Sequence, residues 1–106
     1  MKRNKNSCVP EITSGTFEVW RSDGSLETIN EKPTLLKIHR MIGCRYCDSV
    51  IICRKPMIVM LVDDTGMIDG KPVNERATKA YHSVCYPGNP YSIHGDVAVC
   101  LDSDFK

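Results

Sequence analysis

The run Met57-Ile58-Val59-Met60-Leu61-Val62 restricts what this chain can fold into more than any other stretch. It is too short to span a bilayer and too β-branched for a helix, so it predicts a strand buried on one face or both. Asp63-Asp64-Thr65-Gly66 ends it with turn chemistry: Asp side chains bond nearby backbone amides, and Gly66 accepts positive φ without a Cβ penalty. Met67-Ile68 is expected to form a short return strand, and Asp69-Gly70 a second turn. From Asn74 to about Tyr86 the pattern becomes helical, with Asn74 as N-cap and Glu75 at the positive end of the helix dipole. Ala77, Ala80, Tyr81 and Val84 then share one face, Arg76, Lys79 and His82 lie on or near the other, and Pro87-Gly88 is the stop.

The rest of the chain supplies partners for this strand. Thr16 to Arg21 alternates apolar and polar residues, with Phe17 and Val19 facing one way and Trp20 the other. Asp23-Gly24 is a hairpin signal, and Leu26 to Ile29 is the returning strand. Lys32-Pro33-Thr34 resembles a helix start, followed by an apolar stripe of Leu35, Ile38, Met41 and Ile42 and a stop at Gly43; His39 and Arg40 fall on the polar side. Asp48 to Cys53 and Gly95 to Leu101 read as further strands, and Asp102-Ser103-Asp104 as a frayed tail. The expected fold is α+β: a small, mainly antiparallel sheet of about five strands with two helices packed on one face.

With 106 residues the chain is expected to form a single domain over residues 16–106, preceded by a flexible arm over 1–15. A formal net charge of +1 gives no electrostatic instruction, and a nucleic-acid binder of this size is more often clearly basic. No apolar window reaches a spanning length, and no signal core follows Met1-Lys2-Arg3-Asn4-Lys5-Asn6, so a cytosolic location without membrane contact is expected. The six cysteines are then expected to be thiols or metal ligands and not a disulfide framework.

Several short motifs occur together and in order: Ile42-Gly43-Cys44 ending a helix, Val62-Asp63-Asp64-Thr65-Gly66 at a turn, Lys71-Pro72-Val73-Asn74-Glu75-Arg76-Ala77-Thr78 opening a helix, and His94-Gly95-Asp96-Val97 opening a late strand. From about Thr34 to Asp104 the chain resembles a family of short domains of unknown function found in bacteriophage, prophage and plasmid genomes. The resemblance implies a mobile-element origin in a bacterial host and implies no reaction. The family pattern has Gly where this chain has Cys44, and it does not require Cys47, Cys53, Cys85 or Cys100.

Two constellations offer chemistry. Cys44-Arg45-Tyr46-Cys47 and His82-Ser83-Val84-Cys85 each place two ligands three apart, as a tetrahedral zinc site of Cys44, Cys47, His82 and Cys85 needs; the alternative is that Cys44, Cys53, Cys85 and Cys100 are small apolar core residues. A redox role for Cys44-x-x-Cys47 lacks its usual context, because the pair follows a helix instead of opening one. Arg76 and Lys79, in the first turns after Asn74, suit a phosphate or carboxylate, with Arg45, Tyr46 and Tyr81 adding charge and stacking for a nucleotide-like ligand; the alternative is a solvated helix face. No constellation supplies nucleophile, base and oxyanion donors together.

These readings lead to an expectation of binding without catalysis and without an obligatory cofactor. The partner expected is a host protein that the chain blocks or redirects, with anti-defence as the purpose. A nucleotide signal sequestered near Arg76 and Lys79 at an interface between copies is a variant of this reading. The competing expectation is a zinc-stabilised nucleic-acid-binding module.

Overall fold

The computed structural model describes residues 12–44, 46–85, 88 and 90–105, with the backbone alone for Phe105. In chain order the elements are β1 (Phe17–Trp20), β2 (Leu26–Ile29), α1 (Leu35–Ile42), β3 (Cys47–Arg54), β4 (Met57–Asp63), α2 (Glu75–Val84), β5 (Val97–Leu101) and α3 (Asp102–Phe105). The strands form one five-stranded sheet in the order β2-β1-β5-β4-β3, and every neighbouring pair is antiparallel. The α+β class and the antiparallel sheet agree with the sequence reading.

Helix placement does not. Successive side chains of a strand point to opposite faces, and β4 and β5 are apolar at nearly every position. Val59, Leu61, Ala98 and Cys100 join Phe17 and Val19 in a core closed by Ile38 and Ile42 of α1. Ile58, Met60, Val62, Val97 and Val99 join Trp20 in a second core closed by Ala77 and Ala80 of α2. The two helices therefore lie on opposite faces, in three layers, and not together on one face. Two apolar faces each require a cover, since a fully buried side chain of this size contributes about 1.5–3 kcal/mol relative to exposure.

Local chemistry sets the boundaries. Gly24, at φ 94°, turns the first hairpin, and Trp20 does face away from Phe17 and Val19. Thr34 caps α1 by accepting from Lys37 N at 3.2 Å, so Pro33 precedes the cap instead of lying in the first turn. Asn74 caps α2 as expected, and the helix ends at Val84, with Cys85 as its C-cap. Met67-Ile68 is not a return strand; residues 64–70 are successive turns.

Gly66 is needed for space and not for a positive φ: a Cβ there would lie 2.5 Å from the His94 carbonyl oxygen. The final acidic residues are not frayed, because Asp104 is buried and accepts from Gly15 N at 2.7 Å and Ser14 Oγ at 2.9 Å. The end of the expected arm is thereby held, and Ile12 packs against the second core; residues 1–11 lie outside the described residues. No described helix is long and apolar enough to cross a membrane.

Candidate functional site

One end of the sheet collects the C-terminus of α1, the start of β3, the end of β4, the N-terminus of α2 and the start of β5. The C-terminus of α1 shows how the sequence builds the first part of the site. Gly43 adopts the left-handed conformation, φ 64° and ψ 41°, and reverses the chain so that both Gly43 N and Cys44 N donate to His39 O, at 2.9 and 3.3 Å. In this type of helix ending the second residue past the helix packs against the residue five positions before it. Here those two residues are Cys44 and His39. Cys47 is the first residue of β3.

His39, Cys44 and Cys47 place one imidazole nitrogen and two sulfurs within 4.8 Å of one another, with Cys44 buried and the other two half-buried. The two Sγ atoms are 2.8 Å apart. Burial and the hydrogen bond with Cys44 push the Cys47 thiol up to about 12, so without a metal it is protonated at neutral pH. The remaining histidines are occupied elsewhere. His82 Nε2 donates to the Tyr91 carbonyl, while His94 Nδ1 donates to Lys71 O at 2.8 Å and its Nε2 bonds Ser92 Oγ at 2.9 Å.

The four ligands expected from sequence, Cys44, Cys47, His82 and Cys85, do not assemble. Cys44 and Cys47 belong to the α1 face, whereas His82 and Cys85 lie on and just after α2, across the sheet. Of the other cysteines, Cys100 is a core residue whose thiol burial pushes up to about 12, and Cys53 packs against the second core. The alternative reading of cysteine as a core residue therefore holds for Cys100 and for Cys44, both buried in the first core, and in part for Cys53, but not for Cys85.

Beneath the cluster lies an ion pair that sequence reasoning missed. Asp63 is the cross-strand partner of Cys47, and its side chain is only 1% exposed. Lys71 Nζ donates to the Asp63 carboxylate and, at 2.8 Å, to the Gly43 carbonyl that ends α1. Burial alone would raise the Asp63 carboxyl, but Lys71 and the amide and hydroxyl of Thr65 hold it below the usual carboxylate range.

The second part of the site is a pair of loops, residues 64–74 and 91–96. They are tied together by Asn74 N to Ile93 O and Gly95 N to Pro72 O, both 2.8 Å, and by the bridge between Val73 and His94. Lys71 connects both parts, since its backbone carbonyl accepts from His94 while its ammonium group reaches α1. Gly95, at φ 89°, lets the Lys71 stem pass, because a Cβ there would lie 2.9 Å from Lys71 Cδ. Met67, Ile68, Val73 and Tyr91 are exposed on these loops, Ile68 to 84%. Residues of both loops and the end of β4 line a notch of about 140 Å³: Val62, Asp63, Asp64, Met67, Ser92, Ile93 and His94.

Of the residues expected to hold an anion, Arg76 and Lys79 stand three residues apart on α2. Arg76 lies over the Trp20 ring at 5.9 Å, Lys79 is exposed, and Tyr81 packs against the second core. Tyr46 is exposed beside β3, its carbonyl accepting from Asp64 N at 3.1 Å, and Arg45 lies outside the described residues. Tyr46, Arg76, Lys79 and Tyr81 line neither the notch nor the wider opening of about 370 Å³ formed by Ile51, Ile52, Cys53, Arg54 and Val84. No family model matches this chain, and neither a curated protein nor a solved structure matches it.

Proposed function

We propose that this protein acts by binding and not by catalysis, as a phage or other mobile-element accessory protein that engages a host protein in the bacterial cytosol and blocks or redirects it. The observation carrying the binding reading is the loop pair 64–74 and 91–96. Its backbones are hydrogen-bonded to each other, so little conformational entropy is lost on docking, and it presents exposed Met67, Ile68, Val73 and Tyr91, of which Met67 also lines a notch. Small-molecule sites usually enclose about 300–1,000 Å³. A notch of about 140 Å³ suits one inserted side chain of a partner better than a nucleotide. The mobile-element origin rests on the motif resemblance, and anti-defence is the purpose that origin suggests.

Affinity capture from host lysate with the wild type and with Ile68→Asp tests this reading. Ile68 supports no core, so the variant keeps its fold by circular dichroism. One host protein retained by the wild type and reduced roughly tenfold or more by the variant supports the reading. Equal retention by both contradicts it.

A further inference from the structure

We infer that His39, Cys44 and Cys47 bind one zinc ion through one imidazole and two thiolates, with the fourth coordination position open to water. This inference is independent of the host-protein reading, and it replaces the ligand set suggested by sequence spacing with one that spans the end of a single helix.

Three observations support it. The donors are nitrogen and sulfur only, the set that suits zinc and not the oxygen-seeking magnesium or calcium. Bond lengths of about 2.3 Å for Zn–S and 2.0 Å for Zn–N put tetrahedral ligand atoms roughly 3.6–3.8 Å apart. Those separations lie inside the 4.8 Å envelope that already contains all three atoms, and the two sulfurs, now 2.8 Å apart, must separate by about 1 Å. Lastly, His39 and Cys47 are half-buried, so an ion can enter, while Cys44 is buried against the core and fixes one ligand.

The close pair of sulfurs alone would equally suit a disulfide. The imidazole decides between them, since a disulfide makes no use of it and a metal does. Asp63 does not complete the site, because its carboxylate is engaged by Lys71 and Thr65. On binding, each thiol loses its proton and forms an S–Zn bond, so two protons leave per zinc and the two thiolates balance its charge.

The test uses the full chain, expressed in bacteria and purified under reducing conditions without chelator. Native mass spectrometry is expected to find one zinc per chain, and cobalt(II) replacing it is expected to show thiolate-to-cobalt charge-transfer absorption. His39→Ala and Cys47→Ser, both at half-buried positions, are expected to abolish the stoichiometric metal and the cobalt absorption while circular dichroism is unchanged. His82→Ala and Cys85→Ser are expected to retain both. The inference is overturned by a metal-free reduced chain, by a Cys44–Cys47 disulfide in place of metal, or by zinc that survives His39→Ala but is lost with His82→Ala.

Discussion

The two faces of the sheet are covered by helices of similar length, eight residues in α1 and ten in α2, that are fastened at opposite ends. α2 is held at its start. Asn74, 1% exposed, accepts from Ala77 N at 3.0 Å and donates to Trp20 O at 2.9 Å and Gly95 O at 3.0 Å, so one side chain ties the helix to β1 and to the start of β5. α1 starts loosely: its cap Thr34 is exposed, and Leu35 and Leu36 project into solvent.

What holds α1 is its far end, where Arg21 Nη1 donates to Met41 O at 2.6 Å and Lys71 Nζ donates to Gly43 O. Arg21 in turn pairs with Asp96, at 2.9 Å, at the start of β5. The difference shows where chemistry can reside. A helix locked through a fully satisfied buried cap leaves no donor set at that cap. A helix tied by its last carbonyls places the residues just past it, Cys44 and Cys47, beside its own His39.

The largest expected effect breaks the α2 side of this comparison. Asn74→Ala removes an N-cap and leaves two buried carbonyls without their donor, and is expected to cost about 3 kcal/mol. Urea unfolding would show a lower midpoint at unchanged slope. A loss below about 1 kcal/mol would mean that α2 is held by its alanine face alone.

Next comes Lys71→Ala, on the α1 side. Removing one partner of a buried pair costs about 3–5 kcal/mol, but Lys71 keeps 26% of its side chain in water, so about 2 kcal/mol is expected. Its pH dependence has a definite sign. The folded pKa of Asp63 lies below its unfolded value, so the pair's contribution is complete above about pH 4 and is lost as the pH falls through the folded pKa. The stability gap between wild type and Lys71→Ala should therefore narrow in acid. A gap that stays constant down to the acid transition would remove Asp63 from the account.

The smallest effect is expected from Thr34→Ala, the counterpart of Asn74→Ala on the other helix. Its cap is exposed and makes a single 3.2 Å bond to Lys37 N, so the expected cost is about 0.5–1 kcal/mol. If thermal melts rank it with Asn74→Ala, the contrast between the two helix starts fails.

Much of this was legible in the sequence. Alternation found β1, the Asp23-Gly24 turn found the hairpin, and Asn74 and Gly43 marked one end of each helix because their conformations are local. The distribution of helices between faces is less plain, although β4 carries the signal: a strand apolar at every position from Ile58 to Val62 has two faces to cover, and a pair of helices can meet that need only by dividing. The four ligands expected from spacing fall apart for a related reason. Spacing within Cys44-x-x-Cys47 and His82-x-x-Cys85 is a property of chain length, but the sheet stands between those pairs. Periodicity places His39 on the polar side of α1, and its partnership with Cys44 depends on the reversal at Gly43. Lys71 and Asp63, eight residues apart, meet because residues 64–70 double back in successive turns, and no periodicity announces that.

Amide hydrogen exchange of the reduced chain, with and without zinc, tests the contrast between the two faces most directly. Zinc is expected to slow exchange in the last turn of α1 and through Cys44 to the start of β3, and to leave α2, already fastened by Asn74, unchanged. Protection appearing instead around His82 and Cys85, or none at either helix, would contradict the assignment of the metal to the end of α1.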